Sequence, residues 1–234
     1  MRNMFILIFL FLSLDAKEIY ATFDVVADKD AKLAFVASGI VAKVNVDVSS
    51  VVQKGDILAV LQNDDIKASL EMAKVALKYA KRSYERELKV KHLIDETKFD
   101  KVALAYENAK VTYEYKKALY DKTFLKAPFD GVIYKKDIEV GDAVSAMTLQ
   151  KVFYIQSVKK RKLILYFDQK YVEDVKAGDI FSFTLNTKEK VYKRPITKIY
   201  PFANYANRKA SAQVMIKGVT PGIFGDGYIS TKEK

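Results

Sequence analysis

The sequence contains no cysteine and only one histidine, His92. Without cysteine the chain can form no disulfide and no thiolate metal site, and an export signal cannot end in a lipid-modified cysteine. A single histidine also excludes any two-histidine zinc motif within the chain. Because these absences remove much of catalytic chemistry, we expect no catalytic residue, no metal site and no cofactor, and a protein that is neither an enzyme nor a lipoprotein.

One short hydrophobic run stands out, from Met4 to Leu14, preceded by Arg2 and followed by Asp15-Ala16-Lys17. As a helix it would span only ~16 Å, against a hydrocarbon core of about 30 Å. We therefore predict a signal peptide over residues 1–16 and a mature protein in the periplasm. The alternative for this segment is a buried N-terminal strand.

The formal net charge is +11, with lysine and arginine spread over the predicted helices and strands alongside aspartate and glutamate. A nucleic-acid-binding protein would concentrate its cations on one face with interleaved aromatic residues. The pattern instead predicts a generally basic, solvated surface that favours acidic partners or anionic lipid surfaces, and no nucleic-acid partner.

Proline and glycine are absent between Gly55 and Pro128, as two long unbroken helices require. Apolar or small residues alternate there at spacings of four and three, which is the pattern of a heptad seam. We predict an antiparallel coiled-coil hairpin over residues 63–123, with its tip near 92–97 and one narrow apolar stripe per helix. The alternative is a helix pair in an ordinary bundle. The two stripes are Ile66, Leu70, Ala73, Leu77, Ala80, Tyr84 and then Phe99, Val102, Tyr106, Ala109, Tyr113, Tyr120, with Lys116 interrupting the second.

Two β-rich segments that look alike flank this hairpin, over residues 35–62 and 124–149. Each has a glycine, a short alternating strand, a Gly-Asp pair and a further apolar strand. Neither half could cover its own apolar face, so we expect them to pack on each other and to bring the two ends of the hairpin together. The fold class is therefore mostly β with a long α-helical hairpin. We expect structural turns at Gly39, Gly55, Pro128, Gly131 and Gly141, with a positive φ at Gly131.

The arrangement resembles the periplasmic adaptor, or membrane fusion, family of HlyD and AcrA type. Residues 127–133 with 139–144 are similar to the second half-motif of that family, and residues 52–58 to the first. Residues 173–179 resemble the short helix and turn of the family's β-barrel domain, and residues 221–224 its closing strand. The resemblance implies a split lipoyl-like, or barrel-sandwich hybrid, domain and a small β-barrel over residues 150–231. We expect an N-terminal strand in residues 17–34 to join that barrel, residues 232–234 to form a tail, and a membrane-proximal domain to be absent or vestigial.

The resemblance also implies a function. Such proteins link an inner-membrane transporter, here expected to be of the RND type, to a TolC-like outer-membrane channel, and export drugs or other toxic compounds. They self-associate into a ring, as a hexamer or a trimer of dimers, and reach the inner membrane through their transporter. The alternatives are an adaptor of an ABC-type exporter or protein-secretion system and, as a minor one, a lipoyl or biotinyl carrier.

Many members of this family carry a channel-contacting set of Arg, Leu and Ser at the hairpin tip. In this sequence two registers match that spacing. The first register places Arg86, Val90 and Thr97 at the channel and is the one we prefer. The second register, two residues earlier, consists of Tyr84, Leu88 and Asp95.

Overall fold

The structure, a computed structural model, describes residues 17–93, 95–185, 188–203 and 207–231. The predicted signal peptide and the predicted tail lie outside the described residues. The chain divides into two compact units, of which one combines Met1–Asp28 with Val158–Lys234 and the other is Lys29–Ser157.

The described residues form fourteen β-strands and two α-helices. In the first unit lie β1 (Glu18–Ala27), β10 (Arg161–Asp168), β11 (Ile180–Leu185), β12 (Lys188–Ile199), β13 (Lys209–Ile216) and β14 (Phe224–Ser230). In the second unit lie β2 (Asp30–Ala34), β3 (Gly39–Val44), β4 (Val51–Val52), β5 (Ile57–Leu61), α1 (Asp64–Lys89), α2 (Glu96–Asp121), β6 (Phe124–Lys126), β7 (Gly131–Lys136), β8 (Ala143–Val144) and β9 (Lys151–Gln156).

The first unit is a closed barrel with strand order β1-β10-β13-β12-β11-β14, all of its neighbours antiparallel. Its strands alternate buried and exposed residues, as expected when one face lines a barrel interior. The rings of Phe23, Phe181 and Phe183 meet in that interior at centroid distances of 5.2–5.8 Å. The short helix of this unit is a single 3-10 turn, Gln169–Tyr171, and it precedes the predicted helical segment 173–179.

The second unit contains two four-stranded sheets, β2-β9-β7-β4 and β6-β5-β3-β8. The predicted boundaries are wrong at β2 and β9, which were expected to belong with the barrel. These strands pair with each other, and β9 also pairs with β7. The physical reason is burial, because Phe153 and Ile155 of β9 pack in one core with Phe35 and Ile133.

Three of the four Gly-Asp pairs in the sequence form the same turn. Each glycine has a positive φ, between 95° and 99°, which a residue with a side chain rarely adopts. Each aspartate accepts a hydrogen bond through its carboxylate, at 2.7–2.8 Å, from the backbone N–H three residues earlier. The three turns are Gly55-Asp56, Gly141-Asp142 and Gly178-Asp179.

Two of these turns lock the halves of the second unit together. The Gly55-Asp56 turn, in the first half, exchanges two backbone hydrogen bonds of 2.8 and 2.9 Å with Ala127 of the second half. The Gly141-Asp142 turn, in the second half, exchanges two bonds of 2.9 Å with Val41 of the first. Because each half supplies the turn that the other half receives, neither half can complete its backbone hydrogen bonds alone.

Gly131 and Gly39 hold equivalent places at the starts of β7 and β3, and neither has a positive φ. The predicted positive φ at Gly131 is wrong. A Cβ atom there would lie 2.5 Å from the backbone oxygen of Gln156 and 2.8 Å from Cγ1 of Ile155, so the position requires glycine because β9 approaches closely. At Gly39 the nearest atom, on Leu61, would be 3.5 Å away, an ordinary contact. Pro128 lies in the bend between β6 and β7.

The raised pKa of Tyr134, on β7, makes the stability of the fold depend on pH in the alkaline range. Its hydroxyl donates a hydrogen bond of 3.2 Å to Asp30, and burial followed by this bond raises the pKa of Tyr134 from 10.0 to about 12. The folded protein therefore holds this proton more tightly than the unfolded chain, so its stabilising contribution is complete below pH 10 and is lost as the pH rises to about 12.

We expect the free energy of unfolding to fall less steeply over that pH range in Tyr134→Phe than in the original protein. Urea titrations at several pH values would measure this difference. Equal slopes would contradict the assignment.

Candidate functional site

The base of the helical hairpin is fixed to the two interlocked halves. The backbone N–H of Leu61, at the end of β5, donates to the carbonyl of Thr123 at 2.9 Å. The side-chain amide of Asn63, just before α1, donates to the Thr123 hydroxyl at 2.9 Å, and that hydroxyl donates to the carbonyl of Tyr120 at 2.7 Å. Because Thr123 is buried, these bonds hold the start of α1 and the end of α2 side by side.

The two helices face each other along the predicted apolar stripes, whose members are buried or half-buried. Near the tip the contact is aromatic: the rings of Tyr84 on α1 and Tyr106 on α2 stack at 5.1 Å, and Phe99 lies 5.7 Å from Tyr84. The ammonium group of Lys91 lies 4.6 Å from the centre of the Phe99 ring. This aromatic cluster joins the helices directly below the tip.

Each helix also carries a second apolar stripe, so the prediction of one narrow stripe per helix is wrong. Since α-helical residues advance by 100° each, these side chains lie on the faces turned away from the partner helix. All of them are more than half exposed. Their sequence signal is the heptad-like spacing of apolar residues among lysines. The outer stripes are Met72, Val75, Tyr79 on α1 and Leu104, Val111, Tyr115 on α2.

The outer stripes are aligned along the hairpin. Counted from the stacked Tyr84–Tyr106 pair towards the base, Tyr79 and Val111 both lie five residues away, and Val75 and Tyr115 both lie nine residues away. At each of these two heights one edge of the hairpin therefore presents tyrosine and the opposite edge valine. Two hairpins placed side by side would bring a tyrosine against a valine at each height.

Five of the six residues in the two registers are exposed near the tip, and the sixth, Tyr84, is half-buried. Arg86 lies in the last turn of α1, where its guanidinium donates to the Ser83 hydroxyl at 3.1 Å, and Val90 caps that helix. Thr97 lies in the first turn of α2. A 3-10 turn, Lys91–Leu93, lies between the helices, and Ile94 lies outside the described residues.

Two of the three residues of the second register have contacts within the hairpin. Tyr84 stacks in the aromatic cluster, and the carboxylate of Asp95 caps α2 by accepting a hydrogen bond from the backbone N–H of Lys98 at 3.3 Å. Leu88, the third member, is 47% exposed. Sequence reasoning missed Leu93, which is 74% exposed at the apex. A large apolar residue in a predicted turn was the signal that could have identified it.

The described residues contain no group of three or more histidine, cysteine or acidic side chains placed to hold a metal ion. Among the described helices, none is both long and apolar enough to cross a membrane.

Comparisons with known proteins match this architecture. The model of the CzcB-like barrel-sandwich hybrid domain matches residues 29–156. A crystal structure of a MacA-MexA chimeric protein, which contains the Pseudomonas aeruginosa MexA alpha-hairpin domain, superposes with a TM-score of 0.83 at 19% identity, over 93% of this chain and 83% of that one. MacA from Actinobacillus actinomycetemcomitans superposes with a TM-score of 0.74 at 18% identity, over 92% of this chain and 79% of its own.

An uncharacterized protein of Haemophilus influenzae is 23% identical over 180 residues, which are 76% of this chain and 47% of that protein. The chain therefore spans about half the length of that relative. The family match covers more than half of this chain and includes both interlocked halves with the inserted hairpin. The chain belongs to the CzcB-like barrel-sandwich hybrid domain family, and it shares the fold of MacA.

Proposed function

We propose that this protein is a periplasmic adaptor subunit of a tripartite efflux system. It links an inner-membrane transporter of RND type to a TolC-like outer-membrane channel, for export of drugs or other toxic compounds. The observation that carries this proposal is the helical hairpin inserted between two interlocked halves, anchored at its base through Thr123 and exposed at its apex. A two-helix rod has too narrow a core to enclose a substrate, so its role is to span a distance and to contact another protein at its end.

The apex is the part that meets the channel. Arg86, Val90 and Thr97 are exposed there, and neither Val90 nor Thr97 is part of the aromatic cluster or of the Asp95 cap. Tyr84 and Asp95 of the second register make contacts within the hairpin instead, which supports the first register. Leu93 adds an apolar side chain to the same surface.

Several copies form a ring in which hairpins pack side by side as a coiled-coil assembly, and substrate passes through the conduit that they enclose. The outer stripes support this arrangement, since each hairpin offers a different apolar edge on either side. A contact between unlike edges generates a closed ring when the rotation between copies closes. The ring is a hexamer or a trimer of dimers.

The test of the tip is a charge reversal in living cells. We expect a strain that lacks the gene to be hypersensitive to drugs, bile salts or metals, and expression of the original protein to restore resistance. Arg86→Asp should restore less than a tenth of that resistance while it leaves thermal stability unchanged, because a solvated position tolerates a change of charge. Lys78→Asp, on an exposed part of α1 away from the tip, is the matched control and should restore resistance fully.

Full resistance with Arg86→Asp would contradict the assignment of Arg86 to the channel-contacting tip. The efflux function would be contradicted if deletion of the gene left susceptibility unchanged and if joint deletion with other adaptor genes caused no further loss of resistance. Co-purification of the adaptor with an ABC-type exporter and not with an RND-type transporter would correct the partner.

A further inference from the structure

The barrel unit has a groove of about 470 Å³ where β12 and β13 separate. Registered pairs between these strands run only from Ile199–Ala212 to Ile196–Val214. Beyond that point Met215 and Ile216 of β13 are paired with β10 alone. The space left between the strands is lined by Lys160, Arg194, Met215, Ile216 and Lys217.

Three of the residues that line this groove have cationic side chains, and no acidic residue is among the described residues that line it. Within the described part of the chain, Arg194 and Lys217 form no ion pair with a carboxylate, and the Arg194 guanidinium donates only to the carbonyl of the adjacent Lys193, at 2.9 Å. Like charges gathered in a concavity repel one another and focus a positive potential there. A bound anion would relieve that repulsion.

The lining also indicates the shape of the anion. Met215 is half-buried and forms an apolar floor beside the cationic residues, while the adjacent Ile216 is buried in the barrel core. A free phosphate ion would use only the charged part of this space. A phosphate group attached to a glycerol and acyl chain would use both parts, since lysine and arginine bind its oxygens and the apolar floor contacts its carbon atoms.

We propose that this groove binds the phosphate of an anionic phospholipid headgroup. The barrel then attaches directly to a lipid surface, in addition to any contact with a transporter. The inference goes beyond the proposed function and does not depend on the hairpin or on the channel.

The test is vesicle sedimentation with the purified protein, using phosphatidylglycerol mixed with phosphatidylcholine, and phosphatidylcholine alone. The groove variant is Arg194→Gln with Lys217→Gln. We expect it to bind the anionic vesicles roughly 30-fold more weakly, since each of the two cations contributes a factor of about five at an anionic surface. Inorganic phosphate is titrated in parallel by calorimetry.

The matched control removes one arginine and one lysine from another part of the barrel unit. Arg208 and Lys170 line a second open pocket, together with Asp168 and Glu173, so their charges are offset locally. Arg208→Gln with Lys170→Gln should retain anionic vesicle binding within about threefold of the original protein. Thermal denaturation of both variants checks that each is folded.

Equal losses in the two variants would mean that net charge alone attracts the protein to the vesicles, and would overturn the proposal. Binding of inorganic phosphate at the groove without binding of phosphatidylglycerol vesicles would overturn the assignment to lipid. Both outcomes are distinct from failure of the efflux function, which is measured in cells and through the hairpin.

Discussion

Replacement of Gly131 by alanine is expected to lower the free energy of unfolding by roughly 3 kcal/mol or more. The added Cβ would lie 2.5 Å from the backbone oxygen of Gln156, and neither β7 nor β9 can yield easily, because both are central to one buried core. The side chain of Ile155, 2.8 Å away, would also have to move. Denaturant unfolding, followed by circular dichroism, measures the loss.

Gly39→Ala is the matched control, since Gly39 begins the equivalent strand of the other half. Its Cβ would make only ordinary contacts with Leu61, and its φ is not positive. We expect a change within about 1 kcal/mol, of either sign, because alanine also reduces the entropy of the unfolded chain. Equal effects of the two substitutions would contradict the close approach of β9 to Gly131.

The second large effect is expected in self-association. Tyr79→Glu places a carboxylate on the apolar edge of α1, where side-by-side packing would remove it from water. Burial of an unpaired charge is costly, so we expect assembly measured by sedimentation velocity to weaken at least tenfold. Lys78→Glu, the adjacent exposed position on α1, is the control and should leave assembly within about threefold.

A compensating substitution distinguishes the kind of contact. If the edge with Tyr79 packs against the edge with Val111 of a neighbouring copy, then adding Val111→Lys to Tyr79→Glu pairs the two new charges at every interface. We expect this double variant to assemble more tightly than Tyr79→Glu alone. If like edges pack on each other, each interface joins Glu to Glu or Lys to Lys, and assembly becomes weaker still. That second result would exclude the ring of unlike edges.

The sequence predicts those features that depend on local period and turn chemistry. The members of the inner stripes of both helices, and Lys116 that interrupts the second, are all buried or half-buried. The Gly-Asp turns at Gly55 and Gly141 were readable because a positive φ and a capping carboxylate are properties of a few neighbouring residues. The two-half organisation follows from the same repeat.

Other features depend on contacts that local sequence does not specify. Glycine serves both at positive φ and at close approach of another strand, and only the position of β9 reveals that Gly131 belongs to the second class. Alternation predicts that residues 151–156 form a strand but does not state which sheet receives it. The outer stripes were missed because apolar residues among lysines are consistent with a solvated helix as well as with an interface.

The measurement that tests the central claim most directly is site-specific photo-crosslinking in living cells. A photoreactive amino acid replaces Val90 or Thr97 at the tip, and Lys78 on the shaft of α1 serves as the control position. We expect crosslinks from both tip positions to an outer-membrane channel protein and none from Lys78. Equal crosslinking from all three positions, or channel crosslinks from Lys78 alone, would contradict an adaptor that meets its channel through the end of the hairpin.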